Sequence, residues 1–345
     1  MENDQRPAQA PAPVRVAVLG ASSIAWRRTA PALRDLPGVE IVAVASREQG
    51  KAARFAAEFG CEAVVGYQRL VDRDDIDGVY VSVPNALHHE WVRRLLLHGK
   101  HVLAEKPLTT RAADTAELAA LAAERGLVLR ENITFVHHGL HRRVTELLAA
   151  GRIGQLRHLD ASFCFPPLPA TDVRYRPELG GGALLDAGIY PVRLAQYFLG
   201  DDLTVVGAVL RMDPVTGVDV AGSALLTSAS GQTATLNFGF QHSYRATYAL
   251  WGSTGHLSTQ RAFTPPAWLS PVLRIEEQDH AEEIVLPAEH QFAAASAEFT
   301  QAMRHTRSTG KDTGHSAWAT TTIRTAELLE RIGACAHRVH AREQD

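Results

Sequence analysis

Short apolar runs alternate with stretches of helical spacing through the first third of the chain. Residues 14–19 form a nearly continuous apolar run that stops at Gly20, the pattern of a strand buried on both faces. Helical spacing follows over 24–36 and ends at Pro37-Gly38. The alternation recurs, with strands expected at 39–45, 63–65, 79–83, 101–104 and 127–129 and helices at 49–59, 89–97 and 111–124. Such βα alternation predicts a doubly wound parallel sheet. After about residue 132 the rhythm changes. A helix is expected at 140–150, strands at 217–226, 233–240 and 246–250, a helical interruption at 182–199, and long helices over 291–304 and 317–337. The expected class is α/β: a parallel doubly wound domain over 14–132, then an α+β domain over 133–345 with a large, mostly antiparallel sheet. Residues 1–13, polar and rich in Ala and Pro with no apolar signal core, are expected to form a disordered tail.

Composition narrows the function classes. A chain of 345 residues suits two cores better than one. With 46% hydrophobic and 21% charged residues it can fill them and is not disordered. A net charge of −3 gives no global pull toward nucleic acid or an anionic membrane. No apolar run reaches the roughly 20 residues of a spanning helix. Cys61, Cys164 and Cys335 are far apart and form no Cys-x-x-Cys pair, which points to a reducing compartment, the cytoplasm, and away from a disulfide framework or zinc ribbon.

Three segments carry chemistry. The turn after the first strand reads Gly20-Ala21-Ser22-Ser23-Ile24-Ala25, a dinucleotide fingerprint with Ser22 in place of the middle glycine. A serine amide still donates to a phosphate at a helix N-terminus, and its hydroxyl adds a further bond. The second strand ends in Ser46-Arg47, with Lys51 a turn later and no acid at the tip to meet a ribose 2′-hydroxyl. A hydroxyl and a guanidinium suit a 2′-phosphate, so NADP(H) is favoured over NAD(H). The plainer alternative leaves Arg47 as a solvated loop cation. The third segment, Glu105-Lys106-Pro107, follows the fifth strand. A lysine at the mouth of a buried strand is costly unless its ammonium is needed there. Taken alone, the triplet reads as a Glu105–Lys106 ion pair; the segments upstream change that reading.

With Gly20, Val83-Pro84-Asn85 and His88 after the fourth strand, and Glu105-Lys106-Pro107, the chain resembles the glucose–fructose oxidoreductase/inositol dehydrogenase (Gfo/Idh/MocA) family. The resemblance implies a Rossmann domain in which the last two segments line the nicotinamide and Lys106 reaches the substrate. The block Gly180-Gly-Gly-Ala-Leu-Leu-Asp186-Ala-Gly-Ile-Tyr190 is similar to the family's active-site helix, with Tyr190 where a His is common. On a helix Asp186 and Tyr190 share a face. Residues 24–28, 103–110, 180–191 and Phe263-Thr264-Pro265-Pro266 are similar to the NDP-hexose 3-ketoreductases of deoxysugar biosynthesis. That likeness implies NADPH-dependent reduction of the C3 ketone of a TDP-linked 3,4-diketo-2,6-dideoxyhexose by a homodimer or homotetramer.

In this reading Tyr190 is the general acid, Lys106 stabilises the developing alkoxide and lowers the pKa of Tyr190, and Asp186 orients either of them. A variant makes Lys106 the acid. Arg174 and Arg176, flanking Tyr175, either hold the substrate diphosphate or are loop surface charges. Phe263 to Pro266 either stack on a nucleobase or form a Pro-rich turn. His137, His138 and His141 have spacing that could seat a metal, but no acid or cysteine completes a pattern, so they read as cleft-lining or structural and no metal is expected. Two other functions fit parts of the pattern: an NADP-dependent dehydrogenase of a free sugar, inositol or dihydrodiol, and a non-catalytic NADP(H)-binding sensor.

Overall fold

The computed structural model describes residues 12–340, so most of the tail expected over 1–13 lies outside the described residues. Six strands, β1 (Val14–Leu19), β2 (Val39–Ser46), β3 (Glu62–Val65), β4 (Gly78–Val81), β5 (His101–Ala104) and β6 (Leu129–Glu131), form one parallel sheet in the order 3-2-1-4-5-6. All of β4 is buried, as expected of a strand covered on both faces by helices. The strand order reverses between β1 and β4, and in such sheets the crevice beyond the strands' carboxyl ends is where a ligand binds. Gly20, Val83 and Glu105 all lie at those ends.

A second sheet holds nine strands: β7 (Leu156–Cys164), β8 (Leu203–Met212), β9 (Asp219–Ser228), β10 (Thr233–Gly239), β11 (Arg245–Gly252), β12 (His256–Gln260), β13 (Val272–Glu277), β14 (His280–Val285) and β15 (His337–His340). Its order is 14-13-12-11-7-10-9-8-15, and only the β7–β10 and β8–β15 pairings are parallel. The helices Ile189–Leu199 and His315–Cys335 cover one face, where Leu226, Leu236 and Leu250 are wholly buried. The other face stays open: Val209, Leu225 and Trp251 are exposed on it.

Packing does not follow the chain's order. The late helix Gln291–Thr309 returns to the first sheet, and its Phe299 and Met303 complete the core around Val14, Val16 and Val18. Arg130 on β6 makes a two-pronged bond to Asp312 (2.7 and 3.0 Å), with both side chains nearly buried, tying this return to the sheet.

Candidate active site

The dinucleotide end is built by close backbone approach. Gly20 has φ of 105°, and a Cβ there would sit 2.5 Å from the Ser82 carbonyl oxygen, so only glycine lets β1 turn this close to β4. The Ser22 hydroxyl accepts from the Ala25 N–H (3.1 Å) and also meets the Ser82 hydroxyl, which fixes the turn. Ser23 is exposed and Ile24 half-buried at the entry to the first helix, Ala25–Arg34 in two segments. Ser46 is buried and its hydroxyl accepts from the Glu48 N–H (3.2 Å). Glu48 itself is turned to Lys51 (2.7 Å). Arg47 is exposed, and among the described residues its guanidinium has no side-chain partner. A backbone cradle for phosphate with an uncommitted guanidinium beside it fits a phosphorylated dinucleotide.

The two loops expected along the nicotinamide are held by buried polar bonds. His88, expected as a cofactor contact, is completely buried instead. Its ring nitrogens lie 2.9 Å from the Val83 carbonyl and 2.8 Å from the Pro107 carbonyl, so it clasps the Val83-Pro84 loop to the Lys106-Pro107 loop. Burial pushes its pKa below the usual histidine value despite those carbonyls. Glu105 is not paired with Lys106. Its carboxylate accepts from Tyr80 Oη (2.6 Å) and Asn132 Nδ2 (2.8 Å), which leaves Lys106 free to turn the other way. Asn85 Nδ2 donates to the Gly180 carbonyl (2.9 Å), joining the loop after β4 to the glycine-rich segment of the second region.

Lys106, Asp186 and Tyr190 come together as expected. Asp186 lies in a wide π-helical turn, Leu184–Gly188, that runs into the helix Ile189–Leu199 carrying Tyr190. Lys106 Nζ donates to Asp186 Oδ1 (2.7 Å) and to the Asp186 carbonyl (2.8 Å), which uses two of its three N–H groups. The ammonium also lies 5.1 Å from the Tyr190 ring centroid. Arg174 Nε donates to the other oxygen of Asp186, so this carboxylate sits between two cations. Burial works against charge on all three groups. For Lys106, Asp186 outweighs it and the ammonium is held above its usual pKa. For Asp186, Lys106 and Arg174 outweigh it and the carboxyl is held well below the usual range. For Tyr190 burial wins: its hydroxyl is raised, and the opposing pull of Lys106 only limits the rise. The expected lowering of the Tyr190 pKa is therefore corrected.

Three substrate expectations change as well. Tyr175 is nearly buried, edge-on to Phe240 at 5.2 Å, and is a core residue. Phe263 is wholly buried beneath Tyr190, 5.8 Å between ring centroids, so it supports the Tyr190 ring and is no stacking surface. Arg174 spends its guanidinium on Asp186 and Asp172, whose oxygen lies 3.2 Å away, rather than facing open space. Two of the three histidines are tied into the core. His138 Nδ1 accepts from the Leu140 N–H (3.0 Å), and the wholly buried His141 meets the Ala262 carbonyl (3.2 Å). Asp219, at the start of β9, was not singled out in the sequence. It accepts from the Leu184 N–H (2.6 Å) and anchors the turn carrying Asp186. No local motif marks it, because its partner lies far away along the chain.

Residues 14–133 match the model of the Gfo/Idh/MocA oxidoreductase family with an NAD-binding Rossmann fold, and residues 141–258 match the family's C-terminal domain. The chain belongs to this family. It is 52% identical over 323 residues to the dTDP-3,4-didehydro-2,6-dideoxy-α-D-glucose 3-reductase of Saccharopolyspora spinosa, covering 93% of this chain and 97% of that one. The enzyme of the same description from Actinomadura kijaniata is 51% identical, over 95% and 97% of the two chains. A crystal structure of a 3-ketoreductase from Actinomadura kijaniata with NADP and TDP-benzene superposes with a TM-score of 0.92 at 48% identity, covering 96% of this chain and all of that one. Solved variants of that ketoreductase change one lysine and one tyrosine, separated along the chain by the same number of residues as Lys106 and Tyr190.

Proposed function

We propose that the chain reduces the C3 ketone of a TDP-linked 3,4-diketo-2,6-dideoxyhexose with NADPH. The observation that carries this reading is the Lys106–Asp186–Tyr190 cluster, in which a buried carboxylate holds a half-buried ammonium beside a half-buried tyrosine, with one ammonium N–H and the tyrosine hydroxyl uncommitted among the described residues. Bound NADPH supplies the hydride. Gly20, Ser22, Ser23 and Ile24 would hold its pyrophosphate, Ser46 and Arg47 its 2′-phosphate, and the Val83–Asn85 and Glu105–Lys106 loops its nicotinamide. As hydride adds to the carbonyl carbon, charge gathers on the oxygen. The free N–H of Lys106 meets that charge, in a site where its ammonium is already anchored and needs no reorganisation. Tyr190, kept protonated by its raised pKa, delivers the proton that completes the hydroxyl. Asp186 positions Lys106 and keeps it charged. His88 and Glu105 position the loops.

The open face of the second sheet, with Val209, Leu225 and Trp251 exposed, supports a homodimer or homotetramer; a monomer in sedimentation at working concentration would refute that. The three free cysteines suit the cytoplasm, and among the described residues no helix is long and apolar enough to cross a membrane.

The test is calorimetric titration of the NADP(H)-loaded protein with TDP, alongside UDP and GDP. Selective TDP binding is expected. Absence of any nucleotide binding would overturn the nucleotide-sugar assignment in favour of a free-sugar, inositol or dihydrodiol dehydrogenase.

A further inference from the structure

A nucleoside diphosphate brings two phosphoryl groups and a flat base, so its seat needs a cation that the protein has not already neutralised, and an exposed ring. Most cations around the cleft are spent. Lys106 and Arg174 both pair with Asp186, Arg174 also with Asp172, and Arg176 with Glu178 at 2.7 Å. Arg261 differs. It is exposed, and among the described residues it has no carboxylate partner and no side-chain hydrogen bond; its guanidinium lies 4.5 Å from the Tyr244 ring centroid.

The backbone singles it out too. With φ of 53°, Arg261 is the one non-glycine residue in the left-handed region among the described residues. Bearing a side chain there is disfavoured, and such strain concentrates at functional positions. The next residue, Ala262, donates its N–H to the Ala246 carbonyl (2.9 Å), and Phe263 passes under Tyr190. In the β7–β11 register Arg245 lies opposite Cys164 and Ala246 opposite Phe163, whose ring is 4.6 Å from Tyr190. Tyr244 and Arg261 therefore cap the same end of the sheet that supports the catalytic tyrosine. The loop that leaves Phe263 turns back through a Leu269 N–H to Pro266 carbonyl bond (3.0 Å) and presents Trp268 with 78% of its surface in solvent.

We propose that Arg261, stacked on Tyr244, and the exposed Trp268 form the seat for the nucleoside diphosphate of the substrate, an inference that rests on the nucleotide-sugar reading above. The guanidinium fork takes the phosphate oxygens, and the indole takes the face of the base. Arg174, by contrast, stays with Asp186.

The test titrates TDP into the NADP(H)-loaded full chain for the wild type, Arg261→Gly and Trp268→Ala. Glycine accommodates the left-handed backbone, so the first variant removes the guanidinium without a conformational conflict. TDP binding should weaken about tenfold to a hundredfold in Arg261→Gly and about fivefold or more in Trp268→Ala, with NADPH affinity unchanged in both. Wild-type TDP binding with undiminished affinity in both variants would overturn this seat and leave the nucleotide-sugar assignment standing. A wild-type protein that binds no TDP would overturn both.

Discussion

Two polar clusters pack against one phenylalanine, and one holds a charge where the other does not. The ring of Phe135 is 6.1 Å from that of Tyr190 and 5.2 Å from that of His141. Beside Tyr190, Lys106 keeps its charge although its side chain is only 12% exposed. In the other cluster, burial, with help from His138, drives the His141 imidazole down to about 3, so it is neutral. Burial opposes charge in both places. What differs is the partner. Lys106 faces a carboxylate that is itself held between two cations, whereas His141 faces one carbonyl and the hydroxyl of Tyr248 at 3.4 Å, neither of which carries charge. Depth therefore does not decide whether a side chain keeps its charge; a compensating ion does.

The largest effects should come from the charged side. Tyr190→Phe removes the proposed proton donor and should cost roughly 10²–10⁴ in turnover, with cofactor affinity near normal. Steady-state NADPH consumption measures the first and a cofactor titration the second. Full activity would take Tyr190 out of proton transfer and leave Lys106 as the donor. Next comes Asp186→Asn, which leaves Lys106 buried beside Arg174, a like charge, with no ion to offset it. Turnover should fall by about 10²–10³, the range for one lost electrostatic support. The pH profile should change as well. Lys106 must be protonated to meet the oxyanion in the proposed mechanism, and in the wild type Asp186 holds its pKa above the usual lysine value, so no loss of rate from this group is expected in the neutral range. In the variant the ammonium loses its proton at lower pH, and the rate should decline as pH rises through the neutral and mildly basic range. An unmoved basic limb would show that Asp186 has only a packing role.

Part of this arrangement could be read along the chain and part could not. The turn at Gly20, the strand that leads to Lys106 and the i, i+4 spacing of Asp186 and Tyr190 are local patterns, and each delivers its residue to the site, although Asp186 does so from a π-helical turn ahead of the helix. The helix Gln49–Phe59 and the strand His101–Ala104 fall within the expected bounds for the same reason. Depth and cross-sheet partners are different, because nothing in a local window encodes what lies opposite. Phe263 looked like a ligand contact in its Pro-rich setting but runs under Tyr190, since the end of β12 turns inward there. The same limit hid the clasp made by His88, the grip of Tyr80 and Asn132 on Glu105, and Asp219 beneath the active-site turn. The strands β7 and β8 also escaped notice. Arg157, His158 and Asp160 interrupt the apolar pattern of β7, and Gly207 interrupts that of β8 at an irregularity in its pairing with β9.

The smallest effect tests the neutral side of the comparison through stability. His141 titrates near 6.5 when unfolded and near 3 when folded, so the folded state resists taking up a proton that the unfolded chain accepts. Its folded pKa is depressed, so the stability it contributes is fully present above 6.5 and is lost as pH falls toward 3. Between pH 7 and pH 5 that loss amounts to about 2 kcal/mol, because over this interval the unfolded chain takes up the proton and the folded one does not. His141→Gln keeps an N–H for the Ala262 carbonyl but cannot titrate. Its unfolding free energy, from denaturant titrations at each pH, should start lower than the wild type's and fall less steeply over this interval. Parallel wild-type and variant curves would mean that His141 is protonated in the fold after all. Burial without a counter-ion would then not be enough to neutralise a side chain in this cluster, and the contrast with Lys106 would lose its cause.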